Sequence, residues 1–327
     1  MSDTLIGLLH PGEMGAAVAA CLTGRGYQVL WVPAGRGPAS QARAAAAGLT
    51  AAAGPDAAGQ AADLARRADI ILSICPPHAA LPTARAVAAA GFTGIYVDAN
   101  AISPAKACDV QTVVQAAGGR YVDGGIIGSP PVPARGGDGD AAGAGPGGTR
   151  LYLAGGPAGG KAAGPATEVA ALFEGTCMNP EILRNERPAG ASALKMAYAA
   201  WTKGSAALVL AARALARAEG VEDSLLVEWS LSQPGLEGRT QGAARSAAAK
   251  GWRWVGEMEE IAASMTADGL PGGFYRAAAE VFRRAASPGA GPDGAPSRGV
   301  RAGGTQAGGP DDALADAVLA ALLAGEA

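Results

Sequence analysis

Residues Leu5 to Gly15 read LIGLLHPGEMG. Leu5-Ile6-Gly7-Leu8-Leu9 has the length and composition of a buried strand, and an alanine-rich helical stretch follows to about Thr23. Between them, His10-Pro11-Gly12-Glu13-Met14-Gly15 occupies the place of a G-x-G-x-x-G turn. In such a turn the middle glycine lets the backbone approach a pyrophosphate, and the last lets the helix pack close to the sheet. N–H groups at the helix start then face the phosphates. Gly12 and Gly15 fill these two roles, with Pro11, Glu13 and Met14 supplying the rest of the turn. His10 stands where the first glycine belongs, and reads either as a neighbour of the pyrophosphate or as a turn residue. The strand-turn-helix setting makes this a dinucleotide site rather than a chance glycine pair.

Moving outward, the same alternation continues. Tyr27 to Val32, Ile70 to Ile74 and Ile95 to Val97 read as further strands, with helical stretches between them. Short apolar runs separated by helices predict a parallel sheet covered on both faces, and right-handed crossovers make it doubly wound. Tyr121-Val122 and Leu151-Tyr152-Leu153 read as late strands of the same sheet. From Pro188 the strand signals stop and helical texture runs to about Ala286, beginning with one long helix from about Gly190 to Glu219. The expected fold class is therefore α/β: an N-terminal Rossmann domain over 1–187, then an all-helical domain over 188–286. Val132 to Gly148 and Ser287 to Pro310 are built almost wholly from Gly, Ala, Pro and small polar or charged residues, the composition of a flexible loop and a linker. Beyond the linker, Leu314, Val318, Leu319, Leu322 and Leu323 share one face of a short terminal helix, for which Asp311 and Asp312 suit the N-terminus. Region 287–327 is thus expected to be linker plus helix.

The chain has 327 residues, 26 Lys and Arg, 29 Asp and Glu, and a formal charge of −3. Without a basic run, nucleic acid and an anionic membrane surface are not expected partners. The most apolar long stretch, Ala197 to Ala212, is broken by Lys203 and is too polar to span a membrane. The N-terminus shows no charged segment followed by an apolar one, and the four cysteines fit a reduced, cytoplasmic setting best. Cys21, Cys75, Cys108 and Cys177 have no metal or redox spacing, and the two histidines cannot complete a zinc set. No metal is expected, and the cysteines read as small buried hydrophobes.

After the second strand, a dinucleotide enzyme using NAD carries an acid that receives the ribose hydroxyls. Here the chain reads Val32-Pro33-Ala34-Gly35-Arg36-Gly37-Pro38-Ala39-Ser40, with no acid. Arg36, with Ser40 beside it, is placed to meet a phosphate monoester instead, which predicts NADP(H) as the cofactor.

These stretches, together with ILSICPPHAAL, YVDANAISPA, VDGGIIGSPP, GASALKMAYAAWTKG and WRWVGEMEEIA, resemble the β-hydroxyacid dehydrogenase superfamily that includes phosphogluconate dehydrogenase. Within it the chain is most similar to bacterial members with a poorly characterised helical C-terminal domain. The resemblance spans roughly Leu5 to Arg284. It implies a Rossmann domain, a helical domain that also builds a homodimer, and a small-molecule substrate. It also implies that Ser73, Pro76 and Pro77 form the turn against the cofactor, and that Asn100 stands at a serine that bonds the ribose or substrate. The substrate motif falls on Asp123 to Ser129, with Ile127 at the carboxylate-binding serine. Gly128 and Ser129 then remain as substrate donors.

The superfamily's catalytic pattern, a helix start followed by lysine and asparagine, falls on Gly190 to Ala199. Lys195 is kept, and Tyr198 and Ala199 take the asparagine positions. Helical spacing puts Lys195, Tyr198, Ala199 and Thr202 on one face, so Tyr198 can offer a hydroxyl beside the lysine. Lys195 is the expected acid/base and also touches substrate. Trp254 and Glu257 read either as walls of the substrate pocket or as core. The resemblance implies an NADP-dependent oxidoreductase transferring a hydride to or from a small hydroxy compound. Two alternatives share the fold: an imine reductase-like enzyme, whose relatives commonly lack the lysine, and a non-catalytic NADP-binding protein.

Overall fold

Ile70 and Leu72 face one side of their strand, and Ile71 faces the other. The next strand repeats this with Ile95 and Val97 against Tyr96. Because both faces are apolar, both must be covered by helices. In the computed structural model, which describes residues 4–132, 148–155, 164–184, 188–287 and 310–324, they are. Val18 and Leu22 of α1 (Glu13–Gly24) and Val169 and Leu172 of α6 (Pro165–Leu172) pack on one face. The other face is covered by α3 (Ala57–Arg67), α4 (Ala80–Ala89) and α5 (Pro104–Ala116) through Leu64, Ala84 and Val110. A shorter helix, α2 (Pro38–Ala46), follows the second strand.

Among the described residues the sheet has eight strands in the order β3-β2-β1-β4-β5-β6-β7-β8. They are β1 (Leu5–Leu8), β2 (Gln28–Trp31), β3 (Thr50–Ala51), β4 (Ile70–Ser73), β5 (Ile95–Asp98), β6 (Arg120–Ile127), β7 (Thr149–Ala154) and β8 (Met178–Ile182). All pairings from β3 to β6 are parallel, giving the doubly wound dinucleotide-binding order with its reversal between β1 and β4. β7 runs antiparallel to β6, and β8 parallel to β7. The expected strands are all present. β3 and β8 were not legible, since β3 is two exposed residues and β8 contains Pro180, which an edge strand tolerates.

The chain divides into two compact units, Met1–Met196 and Ala197–Ala327. The division falls within α7 (Gly190–Ala218), a continuous helix over the span expected for it. The second unit is helical, as expected, with α8 (Glu222–Ser232), α9 (Leu236–Ala267), α10 (Gly273–Ala285) and α11 (Pro310–Ala324). Trp254 of α9 meets Phe282 of α10 edge to face, with ring centroids 5.0 Å apart. α11 lies on α9 and α10 and buries Ala315, Val318, Leu319 and Leu322, while Leu323 is exposed. Arg217 of α7 fastens it, donating to Asp316 at 2.6 Å and to Glu222 at 2.5 Å. The glycine-rich loop expected over 132–148 and the linker expected over 287–310 lie, apart from their end residues, outside the described residues. Among the described residues no helix is long and apolar enough to cross a membrane, and no group of three or more His, Cys, Asp or Glu is placed to hold a metal ion.

Candidate functional site

The carboxyl ends of β1, β4, β5 and β6 lie along one edge of the sheet, where open α/β folds bind their ligands. At β1 the chain enters α1 through the quoted turn, with Gly12 as the extended N-cap residue. A Cβ at Gly15 would collide with the His10 carbonyl oxygen, so the turn closes this tightly only with glycine there. A Cβ at Gly12 would meet nothing within 4 Å. Gly12 therefore borders open space, and the glycine leaves the first turn of α1 accessible to a ligand. The first N–H groups of a helix have no intrahelical partners and carry partial positive charge, so this is anion-binding geometry.

Two arginines border the turn. Arg36 Nη2 donates to Leu9 O at 3.3 Å, and Arg43 Nε donates to Pro11 O at 3.0 Å. Arg43 Nη2 also donates to Ser40 Oγ at 3.1 Å. Arg36 and Ser40 are thus brought to the turn. Arg43, which sequence reasoning missed, joins them because it lies one helical turn beyond Ser40 on α2. Its signal was that i, i+3 spacing. His10 is held in its neutral form: burial first, then the charge of Arg36 and the nearby His78, push its pKa down to about 4. Its Nδ1 is buried with no hydrogen-bond partner among the described residues. An open glycine cradle, two guanidinium groups and an orphaned ring nitrogen form a set that fits a phosphorylated dinucleotide. Pro11 is buried, Met14 half-buried and Glu13 exposed.

The ends of β4 and β5 are locked together by Asn100. Its Nδ2 donates to Ser73 Oγ at 3.0 Å and to Asp98 Oδ1 at 2.6 Å, and its Oδ1 accepts from Cys75 N at 2.6 Å. The side chain is 2% exposed, so it holds the two loops in place rather than presenting its amide to solvent. Pro76 and Pro77 open the short 3₁₀ turn Pro77–Ala79 that follows. Asp98 is fully buried beside Tyr96 and pairs in register with Asp123 of β6. Burial, and the charge of Asp123, push its carboxyl up to about 7.

Lys195 is held by β6. Its Nζ donates to Ile126 O at 2.6 Å. The helix reaches the strand because β6 has glycine at 125, where a Cβ would lie 2.7 Å from Ala191 O. Gly128 and Ser129 follow directly in the turn after β6. Both are exposed, Gly128 has a φ of +127° that favours glycine, and Ser129 O accepts from Thr149 Oγ1 at 2.5 Å. The structure therefore gathers Lys195 and the Gly128-Ser129 turn at the end of one strand. Tyr198 follows Lys195 one turn later on α7, is 43% exposed, and its carbonyl accepts from Thr202 Oγ1. Trp254 and Glu257 belong to the helical unit. Glu257 is buried and ion-paired with Lys203, whose ammonium lies 5.5 Å from the Trp254 ring centroid. This Lys203 partnership was not foreseen.

Residues 216–285 match a family model described as a domain of unknown function, DUF1932. No curated protein matches the chain by sequence. Among solved structures, a conserved hypothetical protein from Sinorhizobium meliloti is similar over 98% of this chain and 97% of its own, with 23% identity and a TM-score of 0.60. A Mycobacterium tuberculosis 3-hydroxyisobutyrate dehydrogenase, solved with L-serine, is similar over 86% of this chain and 92% of its own, with 18% identity and a TM-score of 0.58. An Aspergillus terreus reductive aminase, solved with NADPH and ethyl-5-oxohexanoate, is similar over 87% and 94%, with 20% identity and a TM-score of 0.51. The fold is thus the one shared by hydroxyacid dehydrogenase-like proteins, and the resemblance read in the sequence holds at that level.

Proposed function

We propose that this protein is an NADP(H)-dependent oxidoreductase acting on a small hydroxy compound or the corresponding carbonyl. One observation carries the reading: Arg36 and Arg43 bond the carbonyls of Leu9, just ahead of the glycine turn, and Pro11, within it, while the loop after β2 lacks the acid that an NAD enzyme carries there. The dehydrogenase and the NADPH-bound aminase that share the fold point the same way. In this reading Gly12, Glu13, Met14 and Gly15 offer backbone to the pyrophosphate, with His10 and Pro11 closing the turn. Arg36, Ser40 and Arg43 meet the adenosine phosphate. Ser73, Pro76, Pro77 and Asn100 set the wall behind the nicotinamide ribose, Asn100 by holding the loops.

The bound nicotinamide supplies or accepts the hydride. What remains for the protein is one proton on the substrate oxygen. Lys195, tethered to Ile126 O, holds that proton when it is an ammonium and takes it when neutral. Tyr198 orients the substrate or the lysine, and Gly128 and Ser129 bind the remainder of the substrate. Ile127 in place of a carboxylate-binding serine favours substrates that do not depend on a full carboxylate clamp. Trp254 and Glu257, read from the sequence as pocket walls, lie within the helical unit, where Glu257 pairs with Lys203. We also propose a homodimer through the helical unit. α7 exposes Trp201, Leu208 and Leu215, spaced seven residues apart on one face, at 72%, 56% and 63%.

The test is titration with NADPH and NADH, followed by a screen of hydroxy acids, amino alcohols, carbonyls and imines read by NADPH absorbance. Tighter NADPH binding with turnover of a hydroxy or carbonyl compound is expected. Turnover of imines alone would replace this reading with the imine reductase alternative, and binding without any turnover would favour the non-catalytic one. Sedimentation as a monomer at micromolar concentration would overturn the dimer.

A further inference from the structure

Cys21 and Cys177 are 156 positions apart, and their spacing carries no redox signature. The fold nevertheless brings them together. Cys21 projects from α1 and Cys177 lies just ahead of β8. Both are buried, 4% and 7% exposed, in the same apolar layer as Val18, Leu22, Phe173 and Met178. Their Sγ atoms are 3.1 Å apart. A disulfide bond is roughly 2.05 Å long, so about 1 Å of side-chain movement would join them. Cys75 is half-buried and Cys108 is exposed.

We propose that Cys21 and Cys177 are an oxidative modification site, at which a peroxide-class oxidant converts the two thiols into a disulfide that staples α1 to the start of β8. The step balances in two parts. One thiolate attacks a peroxide oxygen, giving a sulfenic acid and, after protonation of the leaving hydroxide, water. The second sulfur then attacks the sulfenic sulfur, forming the S–S bond and releasing a second water. Overall, two thiols and one hydrogen peroxide give one disulfide and two waters. Burial and the neighbouring thiol push the Cys21 pKa up, so Cys21 is rarely a thiolate and reacts slowly with peroxide. The bond would sit near the C-terminal end of α1, away from Gly12 at its N-cap, and would close a loop through most of the first unit. It is therefore expected to raise stability and to leave the glycine turn in place.

The experiment treats the full chain with hydrogen peroxide, denatures it in iodoacetamide without reductant, and maps the peptides by mass spectrometry. The expected product is a linked pair containing Cys21 and Cys177, about 2 Da lighter than the two reduced peptides together. Tm should rise by roughly 5–10 °C and return to its starting value with dithiothreitol. Cys21→Ala and Cys177→Ala should each remove both effects. Peptide mapping of the wild type decides the matter even if a variant folds poorly. Recovery of both residues alkylated, at peroxide levels that already oxidise Cys108, would overturn the proposal. So would their recovery as sulfinic acids or linked to Cys75 or Cys108. A Cys21–Cys177 bond that left Tm unchanged would overturn the staple.

Discussion

Asp123 on β6 caps the helix of Lys195: its Oδ2 accepts from Ala191 N at 2.7 Å and Ser192 N at 2.9 Å, and its Oδ1 accepts from Ser192 Oγ at 2.5 Å. A sheet carboxylate thus meets the positive end of α7, satisfies two of its first-turn N–H groups, and fixes where the lysine emerges. Burial pushes the Asp123 carboxyl up to about 6, against these same bonds. Asp123→Ala should cost about 3 kcal/mol in urea unfolding, because it leaves buried donors unpaired. Asp123→Asn should cost less, since one acceptor oxygen remains. Equal stability of the alanine variant and the wild type would show that α7 needs no such cap.

Removing the amino group while keeping an unbranched side chain of similar length tests the acid/base role. Lys195→Met should lower kcat by at least roughly 10²-fold, the range of positioned proton transfer, with NADPH affinity changed only a few-fold. Tyr198→Phe should have a smaller effect. Near-normal kcat in Lys195→Met would move the proton to Tyr198 or water and favour the imine-reducing reading.

Arg36→Ala and Arg43→Ala should each weaken NADPH binding by roughly tenfold to a hundredfold, the worth of one charge-assisted phosphate contact, while NADH affinity stays nearly constant. Fluorescence titration of both nucleotides separates the cases. Matched losses for NADPH and NADH would assign the arginines to the shared pyrophosphate instead.

The Asp98 carboxyl gives a pH dependence with a defined sign. Its folded pKa of about 7 lies above the usual carboxylate value near 4. Between those values the folded chain keeps a proton that the unfolded chain has released. The stability from this group is therefore complete below about pH 4 and is lost as pH rises toward 7. His10 has the opposite sign, being depressed to about 4, so its share is lost as pH falls through that range. Comparing Asp98→Asn with wild type cancels the His10 share. Between pH 5 and pH 8 the variant should gain on the wild type by on the order of 2 kcal/mol in unfolding free energy. Parallel stability curves would mean that Asp98 is ionised throughout.

Truncation before Pro310 removes α11 and exposes the α9 and α10 surfaces that Val318, Leu319 and Leu322 cover. Tm should fall by several degrees, and NADPH affinity should be unchanged within a few-fold, because the glycine turn lies in the other unit. Loss of nucleotide binding on truncation would show that α11 supports the first unit.

The strands β1, β2, β4 and β5 were legible because each is a continuous apolar run, and a strand buried on both faces has no other composition available. The glycine turn was legible because its chemistry is local: Gly12 and Gly15 are set by backbone approach and packing within a few residues. Lys195 was legible only through resemblance, since a lysine on an alanine-rich helix carries no signal of its own. The tertiary structure decided what depends on distant partners. It brought Arg43 to the carbonyl of Pro11, Asp123 to the start of α7, Asp98 against Asp123 across two strands, and Cys21 against Cys177. It also showed Glu257 paired with Lys203. Periodicity reports which face of an element is buried, and it does not report which buried polar group will stand opposite. That is fixed by strand order and register, which arise only when the whole sheet is assembled.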